Sequence, residues 1–273
     1  MSARLRQIAK ETEGIVAAGR YTAPGGGEVV IAETVAAARA GTRGYGPGPV
    51  AYEPAAPARA TAFEVTAESS LAAARRLVRE VSGTVGVLNF ASARNPGGGF
   101  LNGAQAQEEA LCRSSALYTC LRQVPEFYAA HRADPSPFYS DRVIHSPAVP
   151  VFRDDRGELL AAPYTVGFLT SPAPNAGVIA RRDPAAVARI PAVLASRAGR
   201  VLDVAAAHGY RALVLGAWGC GVFQNDPAQV AAAFAGELTG AGRFAGRFER
   251  VVFAVLDRRT DSPTRAAFAD AFG

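Results

Sequence analysis

The sequence predicts an α/β fold, a central sheet covered by helices, behind an N-terminal accessory helical region. Three observations carry this. Apolar runs of strand length alternate with helical stretches from about residue 60 onward. Glycine clusters directly follow two of those runs. Hydrophobic residues make up 49% of the 273-residue chain and charged residues 19%, a composition that can bury the core of one large domain.

Residues 1–20 read as a helix, with Leu5, Ile8, Ala9, Thr12 and Val16 roughly on one side. Residues 21–60 are rich in Gly and Pro around a short helix at Glu33–Ala40, so 1–60 reads as the accessory region and 61–273 as the main domain. There, Thr66 can cap a helix from Ala67 to about Glu80, and the strand Thr84–Phe90 follows. After a glycine-rich loop, Asn102 and Gln105 can form a capping box for a helix running through Leu121. Arg142–Val151 and Tyr164–Thr170 read as strands and Pro184–His208 as largely helical. Arg211–Ala217 is a strand, Pro227–Leu238 a helix starting on proline after Asp226, and Arg250–Leu256 a last buried strand.

Composition excludes several function classes. Of the 29 basic residues only Lys10 is lysine, and it stands in no phosphate-loop, kinase or Schiff-base context. The net charge of +5 fits an anionic partner. An Arg- and Ala-heavy chain is also what a GC-rich genome writes, so the charge decides little. No apolar run approaches the length of a membrane span, and Met1–Lys10 has charge but no signal core, so no membrane association and a cytoplasmic location are expected. Cys112, Cys120 and Cys220 lack paired short spacing and are expected to be reduced and mostly packed. His131, His145 and His208 stand alone in the sequence and read as structural or surface residues. No metal ligand set and no cofactor is implied, and the G-x-G-x-x-G and G-x-S-x-G patterns of hydride transfer and serine hydrolysis are missing.

Two glycine loops remain. The first, Asn95-Pro96-Gly97-Gly98-Gly99, leaves the strand ending Val87-Leu88-Asn89-Phe90 and leads to Gln107-Glu108-Glu109. The second, Gly216-Ala217-Trp218-Gly219-Cys220-Gly221-Val222-Phe223, leaves the strand Ala212–Leu215. Either could be a plain turn, but backbone free of side chains also lets consecutive N–H groups cradle an anion, and two such loops can hold a diphosphate between them. Adjacent glutamates on a helix are commonly a solvated face. Here the wheel puts Glu108 with Leu111, Ser115 and Tyr118, toward a partly apolar side where a carboxyl pKa rises. Neighbours on a helix diverge by about 100°, so the two acids are expected to do different jobs.

Gly97-Gly98-Gly99, seven intervening residues, then Gln107-Glu108-Glu109 resembles the signature of poly(ADP-ribose) glycohydrolases, and Gly219–Phe223 resembles the second phosphate loop of their macrodomain fold. The resemblance runs from about Ala60 to Asp257, and Thr170-Ser171-Pro172-Ala173-Pro174-Asn175 looks like the compact bacterial branch. It implies a macrodomain-like mixed central sheet and hydrolysis of ribose–ribose glycosidic bonds in poly(ADP-ribose), with a part in reversing ADP-ribosylation and so in the DNA damage response. It also implies partners in poly(ADP-ribose) and ADP-ribosylated proteins, and no direct nucleic-acid binding. Carried over by position, Glu109 would be the acid and base and Glu108 would hold a ribose hydroxyl. Asn95 and Gln107 would orient the sugar, with Asn89 and Asn225 in the binding set. Gly97, Gly98 and Gly99 would wrap the diphosphate and distal ribose, and Gly219, Cys220, Gly221, Val222 and Phe223 would close from the other side, Phe223 on the ribose. Phe253 and Asp257 are candidates for the adenine by position alone. Two other readings stay open, a macrodomain that binds ADP-ribose without cleaving it and a basic nucleic-acid-binding protein. The intact glutamate pair argues against the first and the want of a recognised motif against the second.

Overall fold

The computed structural model describes residues 2–53, 60–257 and 259–273, so residues 54–59 of the Gly- and Pro-rich stretch lie outside the described residues. A small hairpin of β1 (Arg20–Thr22) and β2 (Glu28–Val30) sits between α1 (Ala3–Ala18) and α2 (Ala32–Gly41). Ser2 caps α1 through its side chain and Gly19, at φ +67°, ends it.

The main sheet has seven strands in the order β3-β6-β7-β5-β8-β9-β4. These are β3 (Arg43–Tyr45), β4 (Ala62–Thr66), β5 (Val85–Phe90), β6 (Val143–Arg153), β7 (Leu159–Ser171), β8 (Ala212–Leu215) and β9 (Arg250–Ala254). β3, β6 and β7 pair antiparallel; from β7 across to β4 every pairing is parallel, making the sheet mixed. Alternate residues of the central strands feed two cores: Val85, Val87, Ala212, Val214 and Val252 join one, and Leu88, Leu213, Leu215, Val251 and Phe253 the other. The first core is covered by α1, α2, α3 (Ser70–Glu80), α4 (Gln107–Ser114), α5 (Leu117–Leu121) and α6 (Pro125–Ala133). The second is covered by α7 (Ala176–Arg182), α8 (Ile190–Ala207), α9 (Pro227–Leu238) and α10 (Pro263–Phe272). The front end therefore packs on the domain: β3 extends the sheet, and Ala9, Val35 and Ala38 are buried in the first core.

Two helices depart from expectation at their ends. The α3 cap is Ser69, whose hydroxyl accepts the Ala72 N–H at 3.0 Å, because Thr66 is still in β4. The expected helix from Asn102 to Leu121 is broken twice. A 3-10 turn at Phe100–Asn102 ends on Gly103, at φ +71°, and Ser115 leaves α4 in extended conformation to bridge Val151. Tyr118 is thus on α5, and only Leu111 of the expected partners shares a helix with Glu108.

Two of the three histidines take structural places as a pair. The rings of His145 and His208 stack with centroids 3.5 Å apart. Their Nε2 atoms lie 2.7 Å from the Tyr210 and Tyr45 hydroxyls respectively. Burial, and then His208, push His145 down to about 3, and burial lowers His208 as well. The unfolded chain thus takes protons below the ordinary imidazole range that the folded chain refuses, so stability is full above pH ~6.5 and falls as pH drops toward 3. Thermal melts are expected to lose Tm between pH 7 and 4. His145→Phe, whatever its absolute Tm, should show a shallower loss; an unchanged slope would remove this pair as the cause.

Candidate active site

Parallel strands β5 and β8 are neighbours, Val85 opposite Ala212 and Val87 opposite Val214, so the two glycine loops leave the same end of the sheet side by side. Ligands of open α/β sheets bind beyond these carboxyl ends, and chain separation is no obstacle to a shared site.

Both carboxylates are buried, Glu108 at 3% and Glu109 at 9% exposure. They sit in the first turn of α4, where the helix dipole favours negative charge. The Glu108 Oε2 accepts the Ser92 N–H at 2.7 Å and its Oε1 accepts the Asn89 amide at 3.2 Å. Asn89, itself fully buried, also donates to the Thr170 hydroxyl at 3.1 Å, its register partner on β7. Burial outweighs these donors and pushes the Glu108 carboxyl up to about 8, with the Glu109 charge adding to the rise. Glu109 Oε1 accepts the Gly99 N–H at 2.8 Å.

That geometry shows how the amides of the first loop are used in the absence of a ligand. Gly97 and Gly98 take φ of +67° and +56°, but their amides do not stand open as a diphosphate nest. The Gly99 N–H goes to Glu109 and the Gly98 N–H to the Asn95 carbonyl at 3.0 Å, while the Gly97 N–H favours the ionised form of Glu108. The loop cradles carboxyl groups, and they are the protein's own. Gln107 is likewise engaged: its Oε1 accepts the Phe90 N–H at 2.9 Å, and its Nε2 donates to the Leu88 carbonyl at 2.8 Å and the Ser70 hydroxyl at 3.1 Å. It pins the head of α4 to β5. Asn95 is exposed at the loop tip, close in the chain to the carboxylate pocket.

The second loop has the open nest. Trp218 and Cys220 turn their N–H groups inward to the Gly216 and Ala217 carbonyls, and the buried Trp218 indole donates to the Ser171 carbonyl at 3.0 Å. The N–H groups of Gly219, Gly221, Val222 and Phe223 find no acceptor among the described residues. Gly219 is left-handed at φ +73°, and nothing lies within 4 Å of where a Cβ on Gly221 would stand. Asn225 braces the loop from beneath, donating to the Pro174 carbonyl at 2.8 Å and the Gly219 carbonyl at 3.2 Å. Val222 is 81% exposed at the crest. The Cys220 thiol is pushed up to about 12 by burial, so this residue offers the site its backbone and not a nucleophile.

A cleft of about 1150 Å³ runs past this loop, walled by Phe90, Gln107, Cys220, Gly221, Leu256 and Asp257 among others. Phe253 is not on it. Its ring is fully buried against Phe234, Phe268 and Phe272, which excludes it from stacking on an adenine. Sequence reasoning missed Ser92, Thr170 and Tyr139, whose ring meets that of Phe223 at 5.9 Å. Their contacts come from register and backbone direction, and only Thr170 lies in a stretch that the sequence singles out.

A mixed sheet with two glycine loops at its strand ends and a buried carboxylate pair on the helix between defines a macrodomain-like hydrolase. The model of the microbial-type PARG catalytic domain matches residues 9–154. The chain is 54% identical to poly(ADP-ribose) glycohydrolase from Thermomonospora curvata, over 99% of this chain and 100% of that one, with a TM-score of 0.92. The same enzyme bound to the inhibitor ADP-HPD superposes with a TM-score of 0.91, at the same identity and coverage. The Deinococcus radiodurans enzyme in complex with ADP-ribose is 48% identical over 87% of this chain and 96% of that one, with a TM-score of 0.78. A search of the curated proteins found no match. The chain belongs to the microbial-type poly(ADP-ribose) glycohydrolase family.

Proposed function

We propose that this protein hydrolyses the ribose–ribose O-glycosidic bonds of poly(ADP-ribose) and releases ADP-ribose, with Glu109 as the reacting carboxyl. The observation that carries the assignment of roles is the difference between two adjacent acids. Glu108 is the more enclosed, is held by N–H donors on both oxygens, and is pushed up to about 8 by burial. Glu109 faces the empty side of Gly98, where an added Cβ would stand 2.5 Å from its Oε1. In this reading Glu109 gives its proton to the leaving ribose oxygen as the glycosidic bond breaks through an oxocarbenium-like state. The resulting carboxylate then takes a proton from the water that attacks the anomeric carbon, which restores the acid. Glu108 holds a ribose hydroxyl, and the open amides of Gly219–Phe223 bind the diphosphate.

The partners proposed are the polymer and the ADP-ribosylated proteins that bear it, with no direct binding of nucleic acid, in the cytoplasm. Among the described residues no helix is long and apolar enough to cross a membrane. We also propose that residues 61–273 carry the catalytic machinery and 1–60 act as its support. Release of free ADP-ribose from purified polymer tests the reading; tight ADP-ribose binding without release would assign a binding-only macrodomain instead. Activity is further expected to survive exhaustive EDTA treatment, since the carboxyl pair can supply the proton chemistry and no cluster of three metal-ligating side chains occurs among the described residues. Loss on chelation, restored by a divalent ion, would require a metal site.

A further inference from the structure

Backbone strain in this molecule is concentrated beside the second glycine loop. Among the described residues, the non-glycine residues with positive φ are Tyr139 at 58°, Ala148 at 46° and Gln224 at 59°. Two of the three converge on Phe223: Gln224 follows it directly, and the Tyr139 ring packs on it with centroids 5.9 Å apart. A left-handed backbone is unfavourable for a bulky L-residue, and such positions persist where the surroundings over-determine them.

The surroundings of Tyr139 do so. Its N–H donates to the Ser136 carbonyl at 3.3 Å. The next residue is latched to the buried His131, whose Nε2 lies 3.3 Å from the Ser140 N–H and 2.8 Å from its hydroxyl. His131 Nδ1 is held in turn by the Phe127 carbonyl at 2.9 Å, which fixes the ring as a donor there and an acceptor toward Ser140. The His131 ring also meets Tyr139 edge-on at 5.9 Å. Burial lowers the His131 pKa and so keeps the acceptor nitrogen free of a proton at neutral pH. Glycine would satisfy this turn without strain, yet the chain places here a ring that reaches the ligand loop. Its phenol has no hydrogen-bond partner among the described residues, so a donor and acceptor stand free beside Phe223.

We infer that Tyr139 is a positioning and specificity residue for the glycohydrolase reaction: it holds Phe223 over the sugar next to the diphosphate nest and offers its phenol to that ligand. This rests on the functional reading above. The strain is then the cost of keeping an aromatic wall at a loop that has few contacts of its own, Val222 being largely exposed.

The test uses the full chain with Tyr139→Gly, Tyr139→Phe and wild type, read by thermal melt, ADP-ribose calorimetry, and KM and kcat on polymer. Tyr139→Gly is expected to melt at or above wild type, because glycine adopts the left-handed turn freely, while ADP-ribose affinity falls on the order of tenfold, the worth of one aromatic contact. KM should rise by a similar factor with kcat within a few fold, since the ring positions ligand and moves no proton. Tyr139→Phe should keep most of the affinity and isolate the phenol. Tyr139→Asn, which also tolerates this backbone, repeats the test should the glycine variant fail to fold. Wild-type affinity and KM in Tyr139→Gly, or in Tyr139→Asn where the glycine variant does not fold, would overturn the inference. Wild-type protein that bound no ADP-ribose would overturn the glycohydrolase reading itself, and this one with it.

Discussion

Glu109→Gln is expected to bind ADP-ribose as wild type does and to release ADP-ribose from polymer at least ~10²-fold more slowly, the lower bound usual for a positioned acid and base. The amide oxygen can still accept the Gly99 N–H that Oε1 accepts at 2.8 Å, so the first loop keeps its shape. The amide cannot deliver a proton to a leaving oxygen or take one from water. Single-turnover release of ADP-ribose, beside calorimetry on the same preparation, separates chemistry from binding. Glu108→Gln is the control. Its amide nitrogen would meet the Ser92 N–H or the Asn89 amide, donor against donor, so it should also be impaired. Near-normal turnover by Glu109→Gln with a dead Glu108→Gln would exchange the two roles.

Gly98→Val should abolish ADP-ribose binding while the chain still folds. The reason lies in the carboxylates, not in an open phosphate nest. A Cβ on Gly98 would stand 2.5 Å from the Glu109 Oε1 and 3.2 Å from the Glu108 Oε2, and the backbone there, at φ +56°, is one that a β-branched residue adopts only under strain. The side chain would thus displace both acids and fill the face they present to the sugar. Strain of about 1–3 kcal/mol lowers Tm without exhausting the 5–15 kcal/mol typical of a domain. A variant that melts lower, is fully folded at 25 °C and binds within a few fold of wild type would remove this loop from the site.

Features set by neighbours in sequence were legible, and features set by neighbours in space were not. Asp226-Pro227 announces α9 because cap chemistry and a proline at the first helical position are local, and the side chain of Asp226 does accept the Ala228 N–H at 2.8 Å. The buried strands β5, β8 and β9 announce themselves as apolar runs between turn residues. β3 does not: Arg43–Tyr45 is three residues long, largely exposed, and becomes a strand only because β6 offers it an edge. The break in α4 at Ser115 is likewise written by Val151, thirty-six residues away. Residue types and spacing singled out the carboxylates and both loops, which the fold brings to one end of the sheet. The direction of each amide depends on the turn and on what lies opposite, so which loop was already filled, and what holds Gln107, could not be read from one dimension.

The unequal use of the two loops has a consequence for inhibitor chemistry. At one end of the site, loop amides already satisfy built-in acids, and a further anion finds few open donors; at the other, amides of Gly219, Gly221, Val222 and Phe223 wait unpaired. A compound suited to this site should therefore be electrically lopsided, with donors or a positive centre toward Glu109 and acceptors or negative charge toward Gly221. Small oxyanions used as fragments should settle at the second loop and leave the first untouched, so fragment growth toward the acids must change the sign of its chemistry on the way.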